Sequence, residues 1–301
     1  MGVGSRGRGY MKKAVILIII VLLGVGALAY PSISDYLARK NGSELIQEYT
    51  VKLAELDDGT KSRMWAEAEK YNETLTGRPV HDPFIEGTGI AMPEEYRQTL
   101  NVDGIMGYVE IPSIDVYLPI YHGTGDNVLN KGAGHLEGST LPIGGSYRHS
   151  VITGHSGLVH AKMFTDLTAL TEGDLFYIHV LGETLAYEVD RITITQPHIT
   201  DELVVFDGKD YCTLLTCTPY GVNTHRLLVR GERVEYNPEI KEAISQTTDS
   251  VANNPVVWVA VITAALMFLL IIIAVIVTRK RRRKNMNAQN AFAKLGISKR
   301  R

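Results

Sequence analysis

Hydrophobic positions follow three rhythms along this chain, and each predicts a different element. Two stretches are apolar almost without interruption: AVILIIIVLLGVGALAY (14–30) and PVVWVAVITAALMFLLIIIAVIV (255–277). A helix rises ~1.5 Å per residue and needs about 20 apolar residues to cross a ~30 Å hydrocarbon layer. The second stretch is that long and carries no charge, so it predicts a transmembrane helix. The first is shorter. Lys12 and Lys13 precede it and Ala27-Leu28-Ala29 closes it, which fits a cleavable signal peptide and an uncleaved signal anchor equally.

Between these stretches the rhythm changes twice. In SELIQEYTVKLAEL and KSRMWAEAEKYNETL, apolar residues recur three and four apart. They predict two amphipathic helices broken near Asp57-Asp58-Gly59, with Ser43 and Thr60 as N-caps. GRPVHDPFIEGTG (77–89) has two prolines and three glycines and predicts a surface loop. From about 103 to 235 the segments are short, β-branched or aromatic, and separated by turns. GETLAYEV alternates apolar and polar residues and predicts a hairpin with DLFYIHVL, while FTDLTAL (164–170) predicts a short helix. The fold class is therefore mainly β, a closed or nearly closed barrel with N-terminal helices and an apolar segment at each end. The divisions are 1–31 (cytoplasmic start and signal segment), 32–76 (helices), 77–89 (loop), 90–237 (barrel), 238–254 (polar connector), 255–278 (membrane helix) and 279–301 (basic tail).

Composition adds two constraints. The 301 residues are 45% hydrophobic and 21% charged with a formal net charge of −2, which allows one or two domains with real cores and gives no global pull toward nucleic acid. The positive charge is instead concentrated at the edges. Arg6, Arg8, Lys12 and Lys13 precede the first apolar stretch, and RKRRRK (279–284) follows the second. Positive flanks stay on the cytoplasmic side, so residues 31–254 are expected to face outward.

The only two cysteines, Cys212 and Cys217, lie five positions apart. Along a strand that separation spans ~16 Å and puts the side chains on opposite faces. A disulfide needs Cα atoms about 4.4–6.8 Å apart, so both thiols are expected to be free. No second cysteine pair provides a metal site, and no metal or other cofactor is expected. An exported chain with free thiols fits a Gram-positive cell envelope.

TLLTC and HRLLVRG flank the turn TPYGVNT. If the strands pair antiparallel about Gly221–Val222, Cys217 stands opposite Arg226 at the strand ends. A neighbouring guanidinium favours thiolate over thiol and can hold a developing oxyanion. A cysteine nucleophile also needs a proton carrier for the leaving amine. Among nine histidines, His155 in VITGHSGL follows a strand and lies between glycines, and His135 in GAGHLEG is its nearest competitor. A lone loop histidine is more often a solvated or capping residue. A lone strand cysteine is more often core filler, and that reading is kept for Cys212.

TLLTCTPYGVNTHRLLVRG resembles the Thr-Leu-x-Thr-Cys…Arg signature of sortases, and TGHSGL resembles that family's histidine motif. GAGHLEGSTLPIGG and FTDLTALTEGD also resemble sortase sequence, in matching order. The resemblance covers about residues 100–235. It implies an eight-stranded sortase β-barrel with Cys217 as nucleophile, His155 as general acid/base and Arg226 as the oxyanion or substrate-orienting group. It demotes His135, and it counts Thr216 and Ser156 to the substrate-site neighbourhood. The second apolar segment and the HDPF sequence resemble pilus-assembling (class C) sortases. By that analogy Asp82 pairs with Arg226 and Phe84 covers Cys217, forming a lid.

The resemblance implies a cysteine transpeptidase anchored in the cell membrane, with its catalytic domain outside. It would cleave Leu-Pro-x-Thr-Gly-like sorting signals through a thioester and join pilin subunits by lysine isopeptide bonds. The implied partners are pilin subunits and the membrane, with no nucleic acid. The alternatives are a housekeeping sortase acting on peptidoglycan and a non-catalytic membrane scaffold for pilins. A thiol oxidoreductase is disfavoured by the absence of Cys-x-x-Cys.

Overall fold

The computed structural model describes residues 4–75, 80–84 and 92–252, with isolated helical positions between 264 and 287. Two long helices come first, α1 (Gly4–Glu55) and α2 (Asp58–Thr74). The break between them falls where the Asp57-Asp58-Gly59 signal predicts, but the caps differ. Asp57 rather than Thr60 is the N-cap of α2, its carboxylate accepting from the Thr60 amide at 2.9 Å and the Thr60 hydroxyl at 2.7 Å. Ser43 caps nothing. The helix runs unbroken past it, so it is an interior position with no free helix-start amide to satisfy.

Eight strands follow: β1 (Gly107–Ile111), β2 (Val116–His122), β3 (Ala133–His135), β4 (Arg148–Thr153), β5 (Leu175–Val180), β6 (Glu183–Thr195), β7 (Asp210–Thr218) and β8 (His225–Val234). They close into a barrel in the order β1-β2-β3-β4-β7-β8-β6-β5. The β2–β3 and β4–β7 pairs are parallel and the remainder antiparallel. The predicted β5–β6 hairpin forms around Leu181 and Gly182, at φ 48° and 91°, the two positive values that a tight turn matching strand twist requires. The polar connector is helical over Pro238–Ala252, with the Asn237 side chain accepting from the Glu239 amide.

Alternation decides what each strand face buries. Ile152, Phe176, Ile178, Leu214, Leu227 and Val229 fill the interior, each worth roughly 1.5–3 kcal/mol on burial. Cys212 lies among them, fully buried. Tyr49 and Leu53 of α1 and Ala68 and Tyr71 of α2 join the same cluster. Buried Asn72 of α2 satisfies both backbone groups of Leu141. A second, smaller cluster lies on the outer face of β4, β7 and β8: Val151, Leu215 and Leu228 with Val80, Leu136 and Leu203, and Phe84 packed against it.

The two apolar segments gain no support here. Among the described residues, no helix is long and apolar enough to cross a membrane. The segment 255–277 lies outside the described residues but for isolated positions, and the side chains of 14–30 are described only in part.

Candidate active site

The β7–β8 ladder sets Cys217 directly opposite Arg226, at the turn end of both strands. The thiol is nearly covered, with Cys217 only 8% exposed, and it is free, as is Cys212. On its other side, the parallel β4–β7 ladder ends at Thr153↔Leu215. Two residues past that last pair, beyond the end of β4, the same register brings His155 level with Cys217.

Side-chain bonds hold that alignment beyond the end of the ladder. The Thr216 hydroxyl donates to the Gly154 carbonyl at 2.7 Å, and the Ser156 hydroxyl donates to the Cys217 carbonyl at 2.6 Å. The His155 carbonyl accepts from the Phe164 amide at 3.0 Å. Residue 154 must be glycine, because a Cβ there would lie 2.7 Å from the Phe164 ring.

The described part of the loop, 80–84, crosses this site. Asp82 is buried and grips Arg226 with both oxygens, accepting from Nε at 2.6 Å and Nη2 at 3.0 Å. The third guanidinium nitrogen, Nη1, donates to the carbonyls of Asn223 and His225, each at 3.2 Å. Asp82 Oδ1 also accepts from the Phe84 amide at 2.9 Å, which turns the chain so that the Phe84 ring faces the site. That ring lies 5.1 Å from the guanidinium carbon and 5.7 Å from the His155 ring centre. It therefore contacts the two groups that flank the thiol. Gly77, Gly87 and Gly89 lie outside the described residues.

The electrostatics follow from this burial. Desolvation raises the Cys217 thiol above its ordinary range; Arg226 pulls it down, but Asp82 beside that cation pushes it back up. Desolvation also holds His155 below the usual imidazole range, against an opposing pull from Asp126. Near neutral pH the pair is thus thiol and neutral imidazole.

Two of the other histidines are held away from the thiol. His135 is fully buried, meeting the Tyr96 hydroxyl at 2.9 Å and the Thr140 carbonyl at 2.9 Å. His179 meets Glu110 at 3.0 Å on the β1–β5 pair. Asp126, in the short helix Asp126–Leu129, acts on His155 from 29 positions earlier in the chain. Neither periodicity nor spacing in the sequence marks it. Among the described residues, no group of three or more His, Cys, Asp or Glu could hold a metal ion.

A free thiol, an imidazole level with it and a guanidinium opposite, all at one rim of a closed barrel, define a cysteine-dependent acyl-transferase. Comparison with known proteins specifies which. A sortase domain model matches residues 109–234. The crystal structure of sortase C-1 from Streptococcus pneumoniae is 47% identical, with a TM-score of 0.62, covering 64% of this chain and 100% of that one. A pilus-related sortase C of Group B Streptococcus is 44% identical, with a TM-score of 0.60, covering 63% and 97%. Sortase A of Bacillus anthracis is 27% identical over 154 residues, covering 50% of this chain and 71% of that protein. The chain belongs to the sortase family and is a sortase cysteine transpeptidase.

Proposed function

We propose that this sortase assembles pili: it cleaves a Leu-Pro-x-Thr-Gly-like sorting signal on one pilin subunit and joins it to a lysine of another. The Cys217 thiolate attacks the threonine carbonyl, and the Arg226 guanidinium faces the oxyanion that develops. His155, carrying the thiol proton, delivers it to the glycine nitrogen as the C–N bond breaks. A thioester remains on Cys217. The lysine amine then attacks that thioester, its proton passes to His155, the thiolate departs and an isopeptide bond is formed. The housekeeping alternative, transfer to peptidoglycan, differs only in the accepting amine.

The observation that carries the pilus reading is the buried Asp82–Arg226 pair with Phe84 beside it. It supports a lid, and the pilus-related sortase C named above is among the similar structures. While Asp82 occupies Nε and Nη2, the guanidinium has no free edge for an oxyanion. The lid must therefore leave before reaction. We further propose that the apolar segments 14–30 and 255–277 hold the barrel on the outer side of a Gram-positive cell membrane, a topology supported by their basic flanks.

The reading is tested by incubating the protein with a peptide bearing the sorting signal and trapping the acyl-enzyme for mass spectrometry. The expected adduct has the mass of the peptide's acyl fragment and sits on Cys217. Supplying a pilin domain with a reactive lysine should then yield a lysine-linked product. Cleavage with no adduct on Cys217 would sink the mechanism. An adduct that transfers only to a peptidoglycan amine would favour the housekeeping alternative.

The lid makes its own prediction. Removing both Asp82 and Phe84 as alanines withdraws the carboxylate that raises the thiol pKa and exposes the sulfur. Alkylation of Cys217 by iodoacetamide should become faster at pH 7, with its pH midpoint moved downward. An unchanged alkylation profile would mean that the loop does not gate the site.

A further inference from the structure

One polar group on the Cys217 face has no role in the proposed chemistry. Alternate residues of a strand point to the same side, and Ile152, Leu214, Leu227 and Val229 line the interior. The outer side therefore carries Val151 and Thr153 on β4, Thr213, Leu215 and Cys217 on β7, and Arg226, Leu228 and Arg230 on β8. The ladders align these residues in rows. Thr153, Leu215 and Leu228 form the row directly behind Cys217 and Arg226. That row offers two apolar side chains and one hydroxyl. Leu215 and Leu228 pack in the outer cluster with Val80, and Phe84 packs against it, so the row lies beside the loop proposed to move.

Thr153 is fully buried, and its Oγ1 has no hydrogen-bond partner among the described residues. A buried hydroxyl in that state has given up water for nothing, which folded proteins rarely tolerate without a reason. The nearby threonines differ: Thr216 donates to the Gly154 carbonyl at 2.7 Å, and Thr213 lies 2.7 Å from His149 Nε2. Other buried hydroxyls are also unmet, Ser150 on the same strand among them, but Ser150 pairs with interior Cys212, whereas Thr153 lies on the outer row behind the nucleophile. One strand across and two residues back, Thr153 is about 8 Å from Cys217 by strand spacing, or about two residues of extended peptide.

We infer that Thr153 is a substrate-binding residue: its hydroxyl bonds a main-chain group of the acyl peptide about two residues upstream of the carbonyl that Cys217 attacks. The peptide side chain at that position is apolar and lies on Leu215 and Leu228. This rests on the sortase reading of the site and names the group that sets the register of the bound peptide. With the loop in place the hydroxyl is orphaned, and bound peptide satisfies it.

The test compares wild type, Thr153→Val and Thr153→Ser on one Leu-Pro-x-Thr-Gly peptide, with kcat, KM and thermal midpoint measured for each. Valine keeps the shape and removes the hydroxyl. The expected result is a roughly tenfold fall in kcat/KM, equivalent to about 1.4 kcal/mol. Its thermal midpoint should be equal or higher, because an unsatisfied buried group has been removed. Serine should recover most of the activity. An unchanged kcat/KM for Thr153→Val overturns the inference while leaving the sortase reading intact. A fall in thermal midpoint together with activity, or a failure to fold, assigns Thr153 a structural role and also overturns it. If wild type itself does not cleave the peptide, the sorting-signal reading fails and the inference fails with it.

Discussion

Cys217→Ala should abolish transfer, lowering peptide cleavage by at least about 10³-fold, because no thioester can form without the sulfur. The fold should survive. Cys217 lies outside the main core cluster at a strand end, and the change removes one atom from a rim position. Cys212→Ala is the matched control with the opposite signature. Cys212 is fully buried among the interior residues, so its loss leaves a cavity costing roughly 1–2 kcal/mol and lowers the thermal midpoint. Its thiol is pushed well above the ordinary range by burial and contributes no nucleophile, so activity should persist. Cleavage assays and thermal melts on the two variants separate the cysteines cleanly. A Cys217→Ala protein that still cleaved would refute the mechanism outright.

The separation between the two cysteines was legible in the sequence because a strand has a period of two. The odd spacing put them on opposite faces, and the turn residues between TLLTC and HRLLVRG fixed the register that brings Cys217 to Arg226. What alternation cannot reveal is which distant segment covers a face. Without the resemblance, HDPF reads only as a proline-rich loop. The Asp82–Arg226 pair spans 144 positions, and nothing local marks it. β3 escaped for a different reason: Ala133–His135 is three residues long, contains glycine and is buried throughout, so it presents no alternation. The N-cap at Ser43 failed because capping signals say where a helix can start, not whether the preceding segment is already helical. The orphaned Thr153 hydroxyl was invisible for the converse reason, since an unmet bond is defined by its surroundings and not by residue type.

Arg226→Lys separates the charge of this residue from its shape. Lysine keeps a cation opposite Cys217 but loses the planar fork that meets Asp82 through Nε and Nη2 together. Two rates should then move in opposite directions. Turnover should fall by about 10²-fold, the scale of losing a fixed oxyanion donor, because a flexible ammonium cannot hold the geometry of the developing charge. Alkylation of Cys217 should rise, because the 80–84 loop loses its bidentate grip and the sulfur becomes accessible more often. Only a residue that both stabilises the reacting oxygen and latches the loop gives this pair of changes. If turnover and alkylation fell together, Arg226 would act through the thiolate alone. If turnover were unchanged, its place opposite Cys217 would be structural.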